Sequence, residues 1–177
     1  MNTGKIQATI DDRVAKGYGI VSEILALSYQ VPLGKYRIEM GLKLRQAMLI
    51  NGILFNSEAW HSTTKEQVTQ FVDIDKYLLR GLVGSHAKVP VEHLYLEMAD
   101  LPIPYVLSVR RMIYLGTILR RHDNEITQKV YLCQKSSPLP GDWCQMVSND
   151  FNKMGIHMTD EHIAQMHEGD YKKLIKN

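Results

Sequence analysis

Apolar residues recur at three- and four-residue steps along nearly the whole chain, and this constrains the fold more than any other feature. Ile6, Ile10, Val14, Gly17, Val21, Ile24 and Ser28 share one face of a helix expected from about Gly4 to Gln30, with Thr3 as its cap. Val31-Pro32-Leu33-Gly34 should stop that helix, and a second is expected from near Lys35 to about His61. Ile38, Leu42, Arg45, Met48, Leu49, Gly52 and Phe55 mark its inner face. So short a connection predicts a long antiparallel hairpin at the N-terminus.

The same period continues downstream. Thr63 and Glu66 have capping-box spacing just before Val68, Phe71, Val72, Asp75, Leu78, Leu79 and Leu82, which predicts a helix over Thr64 to Val83. Gly84 to Lys88 reads as a loop, and Pro90 suits the first turn of a short helix ending around Met98. After the break Asp100-Leu101-Pro102-Ile103-Pro104, a helix is expected from Tyr105 to about Arg121. Asp123-Asn124 would cap another through Lys135. Trp143, Val147, Phe151 and Met154 lie on one face of the next, and Thr159 would cap a last short one. No segment alternates as a strand does, and no fixed repeat is present. The expected fold is all-α, an irregular helical bundle of about seven or eight helices. It divides into a hairpin at 1–61, a helical segment at 62–121 packed on it, and a C-terminal helical extension at 122–177.

Composition narrows the classes. Of 177 residues, 45% are apolar and 23% charged, as in a folded domain, and 21 Lys and Arg against 19 Asp and Glu give a net charge of +2. Apolar runs such as Ala47-Met48-Leu49-Ile50 fall far short of the roughly 20 residues that span a bilayer, so no membrane partner is expected. Met1-Asn2-Thr3-Gly4-Lys5 leads into an amphipathic stretch instead of an apolar signal core, and an intracellular product, nuclear or cytoplasmic, is expected. Cys133 and Cys144 would then stay thiols. The basic excess is local: residues 1–121 hold 15 basic against 11 acidic side chains, and residues 122–177 hold 6 against 8. A nucleic acid would bind the first part.

Catalytic patterns are missing. Gly17 and Gly19 form a close pair, but inside a helix with no strand before it, so they read as aids to tight packing or a bend and not as a phosphate loop. There is no Gly-x-Ser-x-Gly elbow, and neither cysteine sits in a nucleophile motif. Cys144, His157 and His162 match the second half of a zinc finger, yet Cys133 lies too far upstream to supply the first, and no metal or other cofactor is expected. Asp11 and Asp12 diverge on their helix, as do Asp73 and Asp75, so neither pair converges on one ion. Arg121-His122-Asp123-Asn124-Glu125 has the charge order that helix dipoles favour at a junction; a nuclease using Asp123 and Glu125 is the least favoured reading. Arg13 with Lys16, Arg37 with Arg45, and Arg110 with Arg121 are basic residues sharing helix faces.

One stretch has a familiar pattern. Leu44-Arg45-Gln46-Ala47-Met48-Leu49-Ile50-Asn51-Gly52-Ile53-Leu54-Phe55-Asn56-Ser57-Glu58-Ala59-Trp60 resembles the segment after the palm in non-LTR retrotransposon (LINE-like) reverse transcriptases. That family typically carries Leu-Leu-Tyr, then Gly or Asn, then Glu and Trp two residues apart; Ile53 to Trp60 fits it with Phe55 in the tyrosine place. Thr3-Gly4-Lys5-Ile6 and Ile10 to Gly17 look like the family's passage from palm to thumb. Leu94-Tyr95-Leu96-Glu97 and Arg110-Arg111-Met112-Ile113-Tyr114-Leu115 resemble its helical linker, and the likeness covers about residues 3 to 155. The Tyr-x-Asp-Asp turn, the palm strands, the cysteine-histidine knuckle and a complete nuclease motif are all lacking. The resemblance therefore implies a non-catalytic fragment of an RNA-directed DNA polymerase, thumb plus linker. Its partners would be an RNA or RNA/DNA duplex and the palm domain of a longer polymerase. By resemblance, Arg13, Lys16, Lys43 and Arg45 are the candidate phosphate contacts, and Asn56, Glu58 and Trp60 form a structural motif. The alternative is a helical protein-interaction module derived from a decayed or reused retroelement, binding through an apolar groove.

Overall fold

A computed structural model describes residues 3–60, 63–84, 89–121 and 125–176. The fold is all-α, with no strand among the described residues. In chain order come α1 (Thr3–Ser28), α2 (Lys35–Leu44), a π-helical stretch (Arg45–Ile50), α3 (Asn51–Ile53) and a 3-10 turn (Ser57–Ala59). They are followed by α4 (Lys65–Val83), α5 (Val91–Met98), α6 (Ile103–Leu119), α7 (Ile126–Ser136), α8 (Trp143–Lys153), α9 (Asp160–Gln165) and α10 (Glu168–Lys176). The chain divides into two compact units: Met1–Phe55 with Thr64–Pro104, and Asn56–Thr63 with Tyr105–Asn177. Residues of the expected 62–121 segment therefore contribute to both.

In the first unit α1 packs chiefly on α4, and less on α2 and α3. Ile10, Val21 and Ile24 of α1 and Phe71, Leu78 and Leu82 of α4 are buried, as their spacing predicts, and Leu25 and Ile74 are buried with them. Gly17 brings the backbones close: a methyl there would sit 3.0 Å from both Ile53 and Ile74. Gly19 meets nothing, so only the first glycine of the pair serves packing.

The second helix differs from expectation in two ways. It ends at Ile53 and not near His61, because the chain turns at Leu54 and Asn56 adopts a left-handed conformation (φ 55°) that breaks the helical path. Its inner face is also displaced. Arg37, Gly41, Arg45, Leu49 and Ile53 are buried at four-residue steps, together with Ile50 and Leu54, whereas Phe55 is 58% exposed. In an α-helix each four-residue step drifts about 40° around the axis. The wider π turn over Arg45–Ile50 takes up that drift and moves the buried face from Gly52 and Phe55 to Ile53 and Leu54.

Caps shift as well. Thr64, not Thr63, closes the box on α4: its hydroxyl accepts from the Gln67 amide and its own amide donates to Gln67 Oε1 at 2.9 Å. Gln67 then donates through Nε2 to Gln7 Oε1 of α1 at 2.8 Å, a tie that Glu66 could not make from its place. Pro90 and Thr159 stand at the starts of α5 and α9 as expected, and Thr159 accepts from the His162 amide. The Thr3 side chain, the Gly84–Lys88 loop beyond Gly84, and the Asp123-Asn124 cap lie outside the described residues.

The second unit has its own core of Met112, Leu115, Ile118, Tyr131, Trp143, Val147, Phe151, Ile163, Tyr171 and Ile175. Its last helix, α10, was not expected. It is anchored by Tyr171, whose hydroxyl donates to the Met112 carbonyl at 2.7 Å while its ring lies against Gly116.

Candidate nucleic-acid interface

The four candidate phosphate contacts all belong to the first unit and fare differently there. Arg45 is corrected outright: its side chain has no solvent exposure and reaches no surface where a phosphate could lie. Its Nε and Nη2 form a fork on Asp75 at 2.6 and 2.7 Å, its Nη1 donates to Asp100 Oδ2 at 2.6 Å, and Nη2 also donates to the Leu101 carbonyl at 3.2 Å. Tyr95 donates its hydroxyl to the same Asp75 at 2.6 Å. Burial alone would pull the guanidinium pKa down, but the hydrogen bonds and charge of Asp75, with Asp100 behind, more than reverse it. Burial first, and then Asp75, raises the Tyr95 hydroxyl above its usual range. A charge in the core persists only when it is paired and hydrogen-bonded, and this cluster meets both conditions.

Arg13 is half committed. Its Nη1 donates to the Gly52 carbonyl at 2.8 Å, at the end of α3, and its guanidinium sits 5.6 Å from the Phe55 ring centroid. A cation on the last carbonyls of a helix is the arrangement the helix dipole favours. Lys16, one turn further along α1, and Lys43, in the last turn of α2, are exposed. These two remain as candidate contacts.

The basic excess read over residues 1–121 does not belong to one body. Arg110, Arg111, Arg120 and Arg121 fall in the second unit, so the first carries 11 basic against 10 acidic side chains. Basic charge is instead concentrated along α2, where Lys35, Arg37 and Lys43 meet a single Glu39.

Asn56, Glu58 and Trp60 fall in the second unit. Asn56 supplies the left-handed turn, Ser57 is buried, and the Glu58 carbonyl accepts from the Trp143 indole at 2.7 Å. Burial lowers the Arg110 pKa, with the Glu58 carboxylate partly opposing it. Trp60 is half-buried on extended backbone.

Asp75, Tyr95, Asp100 and the second unit's own buried pair were not anticipated as partners. In that pair Arg111 Nε donates to Asp150 at 2.6 Å and Ser108 donates to the other oxygen at 2.7 Å. A signal existed: Arg45 and Asp75 each occupy a position on an apolar helix face, where an ionised group needs an opposite charge.

No group of three or more His, Cys, Asp or Glu side chains able to hold a metal occurs among the described residues. His157 and His162 are exposed, and Cys144 is half-buried, its thiol 3.7 Å from the Tyr131 carbonyl. Burial, followed by the charges of Asp142 and Asp160, pushes that thiol up to about 11. Glu125 stands at the start of α7 without a side-chain cap bond and pairs with Arg121 at 2.9 Å, and Asp123 lies outside the described residues. No helix of the described residues is long and apolar enough to cross a membrane. Comparisons of the chain with protein-family models, with curated proteins and with solved structures find no match.

Proposed function

We propose that this chain is the thumb-and-linker portion of a non-LTR retroelement reverse transcriptase, non-catalytic in itself. It would grip an RNA or RNA/DNA template-primer beside a palm carried by a longer protein, in the nucleus or the cytoplasm. One observation supports the reading above the others: the segments that carry the resemblance also carry the buried polar anchors. Arg45, from the stretch Leu44 to Trp60, and Tyr95, from Leu94 to Glu97, meet on Asp75, while Arg111, from Arg110 to Leu115, is buried on Asp150. A motif whose charged residues are internal is architectural, and gripping then falls to the exposed Lys16 and Lys43.

Phosphate contacts release counterions, so binding should weaken steeply with salt, by a slope of about 0.9 per phosphate neutralised on duplex. Titration of the purified chain with an RNA/DNA hybrid at low and moderate salt tests this. The double change Lys16→Ala and Lys43→Ala should lower both affinity and slope. Absence of binding at low salt would overturn the gripping role.

A further inference from the structure

The turn between α1 and α2 presents aromatic rings to solvent in a way that the packing of the unit does not require. Tyr29 is 58% exposed and Tyr36 is 80% exposed, with Leu33, also exposed, between them in the chain. Tyr29 is nevertheless not loose. The Arg37 guanidinium covers one face of its ring at 4.3 Å from the centroid, and Arg37 is itself buried and donates to the Gly81 carbonyl of α4 at 3.0 Å. The ring is therefore held against an immobile cation, with its other face towards water. Tyr36 stands one residue before Arg37, about 100° around the same turn of α2. Lys43 follows Tyr36 by seven residues, which returns it to the same side of the helix about 10 Å along the axis. Lys35 precedes Tyr36 at the start of α2 and is only loosely paired with Glu39 at 3.6 Å, both side chains exposed.

A pre-oriented ring with a cation behind it, a second open ring and lysines on the same helix match what an unpaired nucleotide strand needs: a π-face for the base and cations for the phosphate. An apolar protein partner would not account for the exposed charge of this helix, Lys35 and Lys43 against the single Glu39. We infer that Tyr29 and Tyr36 form a stacking platform for unpaired nucleotides of a single strand, with Lys35 and Lys43 on its phosphates. The inference rests on the nucleic-acid reading above and adds to it a contact for the unpaired strand, which shares Lys43 with the duplex grip.

The test compares a blunt RNA/DNA hybrid, the same hybrid with a short single-stranded tail, and the free tail, at one low salt concentration. The tail should raise affinity about tenfold, within the range measured for base stacking on aromatic side chains. Tyr29→Ala with Tyr36→Ala should abolish that gain and leave blunt-hybrid affinity unchanged, whereas Tyr29→Phe with Tyr36→Phe should keep the gain because the π-faces remain. If the blunt hybrid binds and the tail adds nothing, the platform is overturned and the gripping role stands. If the tailed hybrid and the free tail bind but the blunt hybrid does not, the platform stands and the duplex role falls. Should Tyr36→Leu keep the whole gain, the surface is an apolar dock and stacking is overturned. Binding of none of the three overturns both readings.

Discussion

Arg45 and Asp75 meet as a fork, Nε on Oδ1 at 2.6 Å and Nη2 on Oδ2 at 2.7 Å, with both side chains wholly shielded from water. Removing one member leaves the other charged and buried, which in comparable settings costs about 3–5 kcal/mol. Arg45→Ala and Asp75→Ala should each lower the urea midpoint severely. The double variant Arg45→Met with Asp75→Leu should be less destabilised than either single change, because no charge is then stranded. Arg45→Lys should fail to substitute, since an ammonium cannot reproduce the fork and still reach Asp100. A double variant no better than the singles would show that the pair contributes beyond mutual neutralisation.

The glycines divide into two kinds. A methyl at Gly116 would overlap the Tyr171 ring and one at Gly41 would overlap the Leu82 side chain, while Gly19 faces open space on a helix. Gly116→Ala should cost roughly 1–3 kcal/mol by overpacking. Gly19→Ala should instead stabilise by about 0.5–1 kcal/mol, through helix propensity. Thermal unfolding of the two variants should therefore move in opposite directions.

Three of the nine tyrosines resist ionisation. Burial, first in each case, raises the pKa of Tyr95, Tyr131 and Tyr171 above the ordinary value of 10.0. Below pH 10 these phenols are protonated in both the folded and unfolded chain, so they add no pH dependence. Above it the unfolded chain loses their protons first, binds fewer than the native state, and stability must fall as pH rises. A titration followed by tyrosinate absorbance should show a component of three tyrosines, Tyr95, Tyr131 and Tyr171, that appears only as the protein unfolds. A single smooth transition for all nine would contradict the burial of these rings.

The thiols should separate in the same way. Cys133 is exposed, while Cys144 is half-buried with its pKa pushed up to about 11. Iodoacetamide at neutral pH should label Cys133 first, and peptide mapping should find Cys144 modified only towards pH 11 or after denaturation. Equal labelling of both at neutral pH would refute the environment described for Cys144.

Asn56 supplies a backbone conformation that few residues adopt. Asn56→Gly should be nearly neutral, and Asn56→Val should cost roughly 1–2 kcal/mol because a branched side chain opposes the left-handed region. Trp143 fluorescence would report whether the adjoining Glu58 carbonyl still meets the indole.

Much of the helical layout could be read from spacing alone, because a 3.6-residue period survives any tertiary detail. Helices α1, α4, α5 and α6 begin and end within a residue or two of expectation. The α2 face was misplaced because a four-residue step resembles helical periodicity locally, and only the π turn, invisible in the sequence, decides which side it buries. Helix α10 was missed although Tyr171 and Ile175 lie one turn apart, with Glu168 and Asp170 at one end and Lys173 and Lys176 at the other. Among the candidate contacts, Lys16 and Lys43 are exposed as a surface charge should be. Arg45 lies in line with Leu49 and Ile53 and shares their burial, because its place on the helix face outweighs its charge once Asp75 and Asp100 are there to pair it.

The Arg45 cluster joins parts of the chain that are 30 and 55 residues apart, and this bears on how the first unit comes undone. If α4 alone were to open, Arg45 would lose Asp75 and its fork; if the stretch around Asp100 were to peel away, it would lose its third bond. Each partial opening strands a charge in an apolar surround, so intermediates of that kind are penalised and the unit melts as one cooperative body. Amide hydrogens of Leu49, Leu78 and Tyr95 should accordingly exchange with one common opening free energy, that of global unfolding, and Arg45→Met with Asp75→Leu should spread those values apart.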